Sequence, residues 1–183
     1  MAEPLETRIS IIEALAVERW ADNWNFRAYL QQHQKPVDVD SVVHRLNADI
    51  APKIDCTKCA NCCRGAGPSL TPADVARAAG AAKLAGDAFT KLFLTAGEGG
   101  EQVFKTSPCP LLTGNLCSIY SDRPGDCRTY PHLDEPDFVA NSVPTIENYR
   151  VCPIVFNVYE RLKSEFAYDP RVDYVGDTNP EDI

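Results

Sequence analysis

Apolar residues recur at three- and four-residue steps along the first part of the chain. Leu5, Ile9, Ile12, Ala16, Trp20 and Trp24 form one such stripe and predict a single helix over residues 5–33 with that stripe turned inward. Lys35-Pro36 predicts its end, because the residue before a proline is pushed out of the α region. A second stripe, Val42, Val43, Leu46 and Ile50, predicts another helix, capped by Asp38 or Asp40 and closed by Pro52. His33 and His44 fall on these helices as surface residues rather than ligands.

Farther along, the pattern shortens. Thr71-Pro72-Ala73-Asp74 is a helix start, with threonine as N-cap, proline at the first helical position and an acid beside them. That helix is expected to run to about Gly80. Asp87 is expected to cap a short helix with Phe89, Leu92, Phe93 and Leu94 on its apolar side. Gly97 to Gly100 reads as a loop and Gln102 to Lys105 as a strand. Cys109 to Cys117 reads as two short extended arms around Gly114-Asn115, a hairpin that draws the two cysteines toward each other. Arg123-Pro124 opens a brief turn or helix carrying Asp126, Cys127 and Arg128 and ending at Tyr130-Pro131. Cys152-Pro153 opens a last helix striped by Val155, Val158, Tyr159, Leu162 and Phe166.

No repeat, low-complexity tract or heptad seam interrupts this plan. The expected fold class is mainly α and irregular, with a short β-hairpin and long loops converging on a cysteine-ligated metal site. The expected division is an N-terminal helical segment (1–52) packed on the core, a cysteine-cluster metal-binding domain (53–167) and an acidic C-terminal tail (168–183).

Composition narrows the setting. With 183 residues and 44% hydrophobic content, the chain can build a core, so its eight cysteines need not replace one. The N-terminus shows no basic stretch followed by an apolar run, and no apolar segment approaches the roughly 20 residues that span a bilayer. A soluble, cytoplasmic protein is expected, in a reducing compartment where thiols meet metals more often than they form disulfides. The net charge of −8 argues against a nucleic-acid surface. Much of the excess lies at the C-terminus, where Asp169, Asp173, Asp177, Glu181 and Asp182 face only Arg171, and a solvated or loosely docked end is expected there. The expected partner is a redox or client protein, with neither nucleic acid nor membrane.

Asp55-Cys56-Thr57-Lys58-Cys59-Ala60-Asn61-Cys62-Cys63-Arg64 places four of the eight cysteines in ten residues, at the spacing C-x2-C-x2-C-C. Cysteines two residues apart in a tight turn aim both sulfurs at one point, which suits a metal. The first three also match the opening of the bacterial ferredoxin run, whose last cysteine precedes a proline. Here Cys109-Pro110 and Cys152-Pro153 offer that pair. The candidate ligands are Cys56, Cys59, Cys62, Cys63, Cys109, Cys117, Cys127 and Cys152. Cys62 and Cys63 pose a problem, because neighbouring side chains usually diverge. They serve two centres, or one is a buried non-ligand, or both belong to one polynuclear cluster. Thiolates, not thiols, ligate metals. Lys58 and Arg64 around the run, and Arg123 and Arg128 around Cys127, would offset their charge. Cys152 gains the dipole of a helix N-terminus.

The run, followed by Cys109-Pro110-Leu111-Leu112, Gly114-Asn115-Leu116-Cys117-Ser118-Ile119-Tyr120, Arg123-Pro124 and Cys127-Arg128-Thr129-Tyr130-Pro131, resembles the YkgJ-type cysteine-cluster family (CxxCxxCC). The resemblance extends from about residue 55 to 153 and implies a zinc- or iron-chelating domain, some members being called iron–sulfur proteins. It does not reach the N-terminal 50 residues or the acidic tail.

Two readings use the same sulfurs. In the leading one an iron–sulfur cluster, or iron, gives the protein a redox or accessory role. In the alternative, zinc ties the loops of an interaction module that has no catalytic activity. Thiol–disulfide exchange through Cys56-Thr57-Lys58-Cys59 or Cys59-Ala60-Asn61-Cys62 ranks below both, since no βαβ alternation surrounds them. A metal hydrolase would need an open coordination position and a base. His132 is the histidine nearest the cysteines in sequence, and neither a ligand nor a supporting role is assigned to it. Tyr120 and Tyr130 are expected to pack against the cysteine loops. No catalytic residue is assigned, and no phosphate loop or dinucleotide fingerprint is present.

Overall fold

Glu6 and Asn157 fix how the chain begins in this computed structural model, which describes residues 4–65, 67–97 and 99–175. The Glu6 N–H donates to Asn157 Oδ1 at 3.0 Å, and Asn157 Nδ2 donates to the Glu6 carbonyl at 2.7 Å. These bonds replace helical ones, so Leu5 stands before the first helix rather than on it. Helix α1 spans Ile9–Glu18 and α2 spans Trp20–His33. The single helix expected over 5–33 is broken at Arg19, which leaves α geometry at φ −99°, ψ 13° and pairs with Glu160. The apolar stripe still points inward: Ile12, Ala16 and Trp24 are buried, with Trp20 half-buried.

Helix α3 spans Pro36–Ile50. It starts earlier than its acidic cap candidates suggested, because Pro36 takes the first helical position behind an extended Lys35. Asp40 is then free for another task, accepting the backbone N–H groups of Asp137 and Phe138 at 2.8 and 2.9 Å. A 3-10 turn over Ala51–Lys53 follows.

The chain divides into two compact units, one of residues 1–54 with 131–183 and one of residues 55–130. The second unit holds α4 (Cys56–Cys59), α5 (Cys62–Gly65), β1 (Ser69–Leu70), α6 (Pro72–Ala81) and α7 (Gly86–Phe93). Then come β2 (Leu94–Ala96), β3 (Gln102–Phe104), β4 (Leu112–Thr113), β5 (Leu116–Cys117), a 3-10 turn at Tyr120–Asp122 and α8 (Gly125–Thr129). The capping box at Thr71 forms as expected, with Asp74 closing it. Asp87 lies inside the first turn of α7 rather than capping it. Leu94, expected on the helix, is already the first strand residue and pairs with Phe104. The three-stranded antiparallel sheet has the order β1-β3-β2. It and α6–α7 enclose a core of Leu70, Ala78, Phe89, Leu94, Phe104, Leu111 and Ile119. The hairpin β4–β5 pairs Leu112 with Cys117 and turns through Gly114, at φ +62°, and Asn115.

In the first unit the chain resumes with α9 (Ser142–Tyr149) and α10 (Pro153–Glu165). The sequence reading assigned nothing to the α9 stretch. Helix α10 is the unit's central element, with every residue from Pro153 to Tyr159 buried. Four residues of its expected stripe, Val155, Val158, Tyr159 and Leu162, are buried in the same unit as Ile12, Phe26, Val43, Ile50 and Ile146, while Phe166 stands just past the helix and is half-buried. Glu160 leaves that core with three partners, accepting from Tyr149 and Lys163 at 2.8 Å each and pairing with Arg19. The start of the acidic segment is anchored, the Tyr168 ring lying 4.9 Å from Phe26 and 5.3 Å from Tyr29. Asp177, Glu181 and Asp182 lie outside the described residues. The architecture is mainly α and irregular, with a few short antiparallel strands. No helix among the described residues is long and apolar enough to cross a membrane.

Candidate metal centre

The cysteine run folds as two single helical turns joined by a sharp corner. Asp55 caps the first turn by accepting the Thr57 N–H at 3.0 Å and the Thr57 hydroxyl at 2.6 Å. Cys56 and Cys59 thereby stand one turn apart on α4, where residues three apart are surface neighbours. Ala60, at φ +50°, ends this turn and redirects the chain into α5, which opens with Cys62-Cys63. The two adjacent side chains do not simply diverge: Cys62 hydrogen-bonds the sulfur of Cys63.

Two downstream segments are hydrogen-bonded to this run, and a third is held by other elements of the same unit. The Cys109 N–H donates to the Cys63 carbonyl at 2.9 Å, and the Ser107 hydroxyl donates to the Arg64 carbonyl. The guanidinium of Arg64 donates to the Cys59 carbonyl at 2.8 Å, the Gly114 carbonyl at 3.2 Å and the Asn115 side-chain oxygen. Asn115 Nδ2 in return donates to the Lys58 carbonyl at 3.0 Å. The third segment, α8 with Cys127, is held from both sides. Asp74 accepts the Gly125 N–H at 2.9 Å, and Asp126 accepts the Ser69 N–H at 2.9 Å. Arg123 Nε reaches the Cys127 carbonyl at 3.3 Å while its guanidinium stacks over Tyr120 at 4.0 Å. Arg128 braces the same corner through the carbonyls of Arg123 and Ser121, at 2.9 and 2.6 Å.

These contacts set the electrostatics. The Cys62 hydrogen bond, then Arg64 and Arg123, pull Cys63 down to about 6 against its partial burial. Burial pushes Cys127 up to about 12, helped by charge on Cys63, Cys109, Cys117 and Asp126. Burial also raises Cys109, with Cys117 and Cys63 adding to the rise and the Leu111 and Leu112 N–H groups opposing it. Desolvation, then Cys59, Asp55 and Cys63, raise Cys56, with Arg123 opposing. Cys63 is thus the group whose charge is felt by Cys56, Cys109 and Cys127 alike. Ionising several of these thiols together requires a compensating cation, and a thiophilic ion fits such a donor set.

Seven of the eight candidate ligands therefore fall in the unit of residues 55–130, and Cys152 falls in the other. Cys152 is buried and precedes α10, its carbonyl accepting the Phe156 N–H at 2.9 Å. No disulfide joins the eight cysteines, and no three Cys, His, Asp or Glu side chains among the described residues form a group that could hold an ion. His132 also lies in the first unit, at φ +61°, with its Nδ1 3.0 Å from Glu135 Oε1. His33 and His44 meet the backbone carbonyls of Tyr29 and Glu135. Tyr120, expected to pack on the cysteine loops, is 55% exposed, with the Arg123 guanidinium over its ring. Sequence reasoning passed over two residues that shape the site. Asp74 was legible only as a helix cap and Asn115 only as a turn residue; nothing local signals their second partners.

Residues 55–153 match the family model CxxCxxCC, described as a "putative zinc- or iron-chelating domain". No curated protein and no solved structure matches the chain.

Proposed function

The chain belongs to the CxxCxxCC family, and we propose that its unit of residues 55–130 carries an iron–sulfur cluster in a redox or accessory role toward a protein partner. The observation that carries this reading is the number of thiols in that unit. Seven cysteines share that one unit, where a structural zinc needs only four ligands. The spacing of Cys56, Cys59 and Cys62 supports the same reading, as does Cys109-Pro110 in the same unit.

The ligands would be drawn from Cys56, Cys59, Cys62, Cys63, Cys109, Cys117 and Cys127. Such a cluster, when bound, supplies reversible electron transfer. The chain's own residues would hold and screen it. Arg64 and Arg123 would offset thiolate charge near Cys63, and Cys127 is half-buried. A cytoplasmic, reducing setting keeps these thiols available. Cys152, in the other unit, has no part in the proposal.

A second reading has one observation in its favour. The elements that carry the cysteines are very short, α4 and α5 having four residues and β5 two. Such pieces gain from a cross-linking ion, and zinc would serve as that clamp. Metal and acid-labile sulfide analysis of protein purified without oxygen separates the two. Iron with sulfide in stoichiometric amounts is the expected result. Zinc alone, colourless and without sulfide, overturns the iron–sulfur reading in favour of a structural clamp.

A further inference from the structure

We infer that Arg64 and Asn115 act as a pair of positioning residues that set the gap between the cysteine run and the hairpin bearing Cys109 and Cys117. The inference rests on the proposed metal centre and names two residues of that site that are not themselves ligands. Arg64 follows Cys63 directly, while Asn115 lies at the hairpin tip two residues before Cys117. Their bonds run in both directions. Arg64 donates into the hairpin, to the Gly114 carbonyl at 3.2 Å and the Asn115 side chain, and back onto its own run at the Cys59 carbonyl, 2.8 Å away. Asn115 donates the other way, to the Lys58 carbonyl at 3.0 Å. Two carbonyls of α4 and the two turn residues of the hairpin are therefore joined through one guanidinium and one amide.

The chemistry is specific to these side chains. A guanidinium offers five N–H donors in a fixed plane and serves three separated acceptors at once; an ammonium is a point charge without that fork. An amide offers an acceptor to Arg64 and a donor to Lys58, which neither a carboxylate nor an alkyl group does. The carbonyls that receive these bonds belong to Lys58, Cys59 and Gly114, so the clamp acts on backbone rather than on sulfur. Groups that orient ligands from outside the coordination sphere typically change metal affinity by about 10–100-fold.

The test compares Arg64→Lys, Asn115→Ala and the double variant with the parent protein. The first readout is the rate of metal release to EDTA from protein purified without oxygen. Each single variant is expected to release metal about ten-fold faster. The double variant is expected to be no faster than the singles, because each change breaks the same clamp. Arg64→Lys releasing at the parent rate would show that charge alone matters and would overturn the inference. Independent, multiplying effects of the two changes would overturn it equally. The second readout is iodoacetamide labelling of Cys59 and Cys117 in metal-free protein, which rises in the variants if the clamp holds the loops and stays unchanged if it does not. Should the parent protein hold no metal at all, the proposed function fails, and the labelling alone then decides the clamp.

Discussion

The backbone N–H of Cys109 donates to the carbonyl of Cys63 at 2.9 Å, so the proline-flanked cysteine of the hairpin segment meets the last cysteine of the run through main chain alone. Side-chain substitution at either position leaves this bond in place. Cysteine-to-serine changes in this unit therefore probe sulfur chemistry more than loop position.

Replacing Cys59 or Cys127 with serine is expected to lose metal and lower the melting temperature. Structural metal binding is worth on the order of 10 kcal/mol in small zinc peptides, and it is coupled to folding. Elemental analysis beside thermal unfolding checks this. Full metal content with an unchanged melting temperature in either variant would refute it.

In metal-free protein the thiols are expected to separate by reactivity. Cys63, held down to about 6 by Cys62, Arg64 and Arg123, is largely thiolate at pH 7 and alkylates first. Its rate should climb with pH through about 6 and then level off. Cys127, pushed up to about 12 by burial and its anionic neighbours, should stay unmodified. Peptide mapping after brief iodoacetamide treatment reads the order, and Cys127 labelling ahead of Cys63 would contradict it.

Asp74 joins the cap of α6 to the start of α8. Burial alone would raise its pKa, but Thr71, the Gly125 N–H and Arg77 together bring it from 3.8 down to about 2. A carboxyl depressed on folding contributes stability above its unfolded pKa and loses it as pH falls through the folded value. That contribution is about 2 kcal/mol, present above pH 4 and fading toward pH 2. Asp74→Asn is expected to remove roughly that much and to flatten the acid limb of the stability curve. Urea titrations at pH 6 and pH 3 measure both effects.

Glu160 accepts from Tyr149 and Lys163 and pairs with Arg19 inside the first unit, where Lys163 is only 13% exposed. Glu160→Gln leaves two cations facing a neutral amide and is expected to cost about 3–5 kcal/mol. Equilibrium unfolding gives the value; a loss below about 1 kcal/mol would mean that the cations find water instead.

The sequence by itself determined what depends on a few consecutive residues. Thr71-Pro72-Ala73-Asp74 made its capping box, Gly114-Asn115 made its hairpin turn, and Pro153 opened α10 with its buried stripe. Residue spacing also marked out Cys56, Cys59, Cys62 and Cys63 and carried the family resemblance. Tertiary structure decided the rest. It broke the first helix at Arg19, where Glu160 competes for the side chain, and it pulled Leu94 out of a helix by pairing it with Phe104. It put Cys152 in a different unit from the other cysteines, although its Cys-Pro pair reads like that of Cys109. It also gave Arg64 and Asn115 each other. A cap, a turn or a helical stripe is stabilised by neighbours within about four residues and so is written in local order. A hydrogen bond or a shift in thiolate charge depends on distance in space, and here the partners come from segments far apart along the chain.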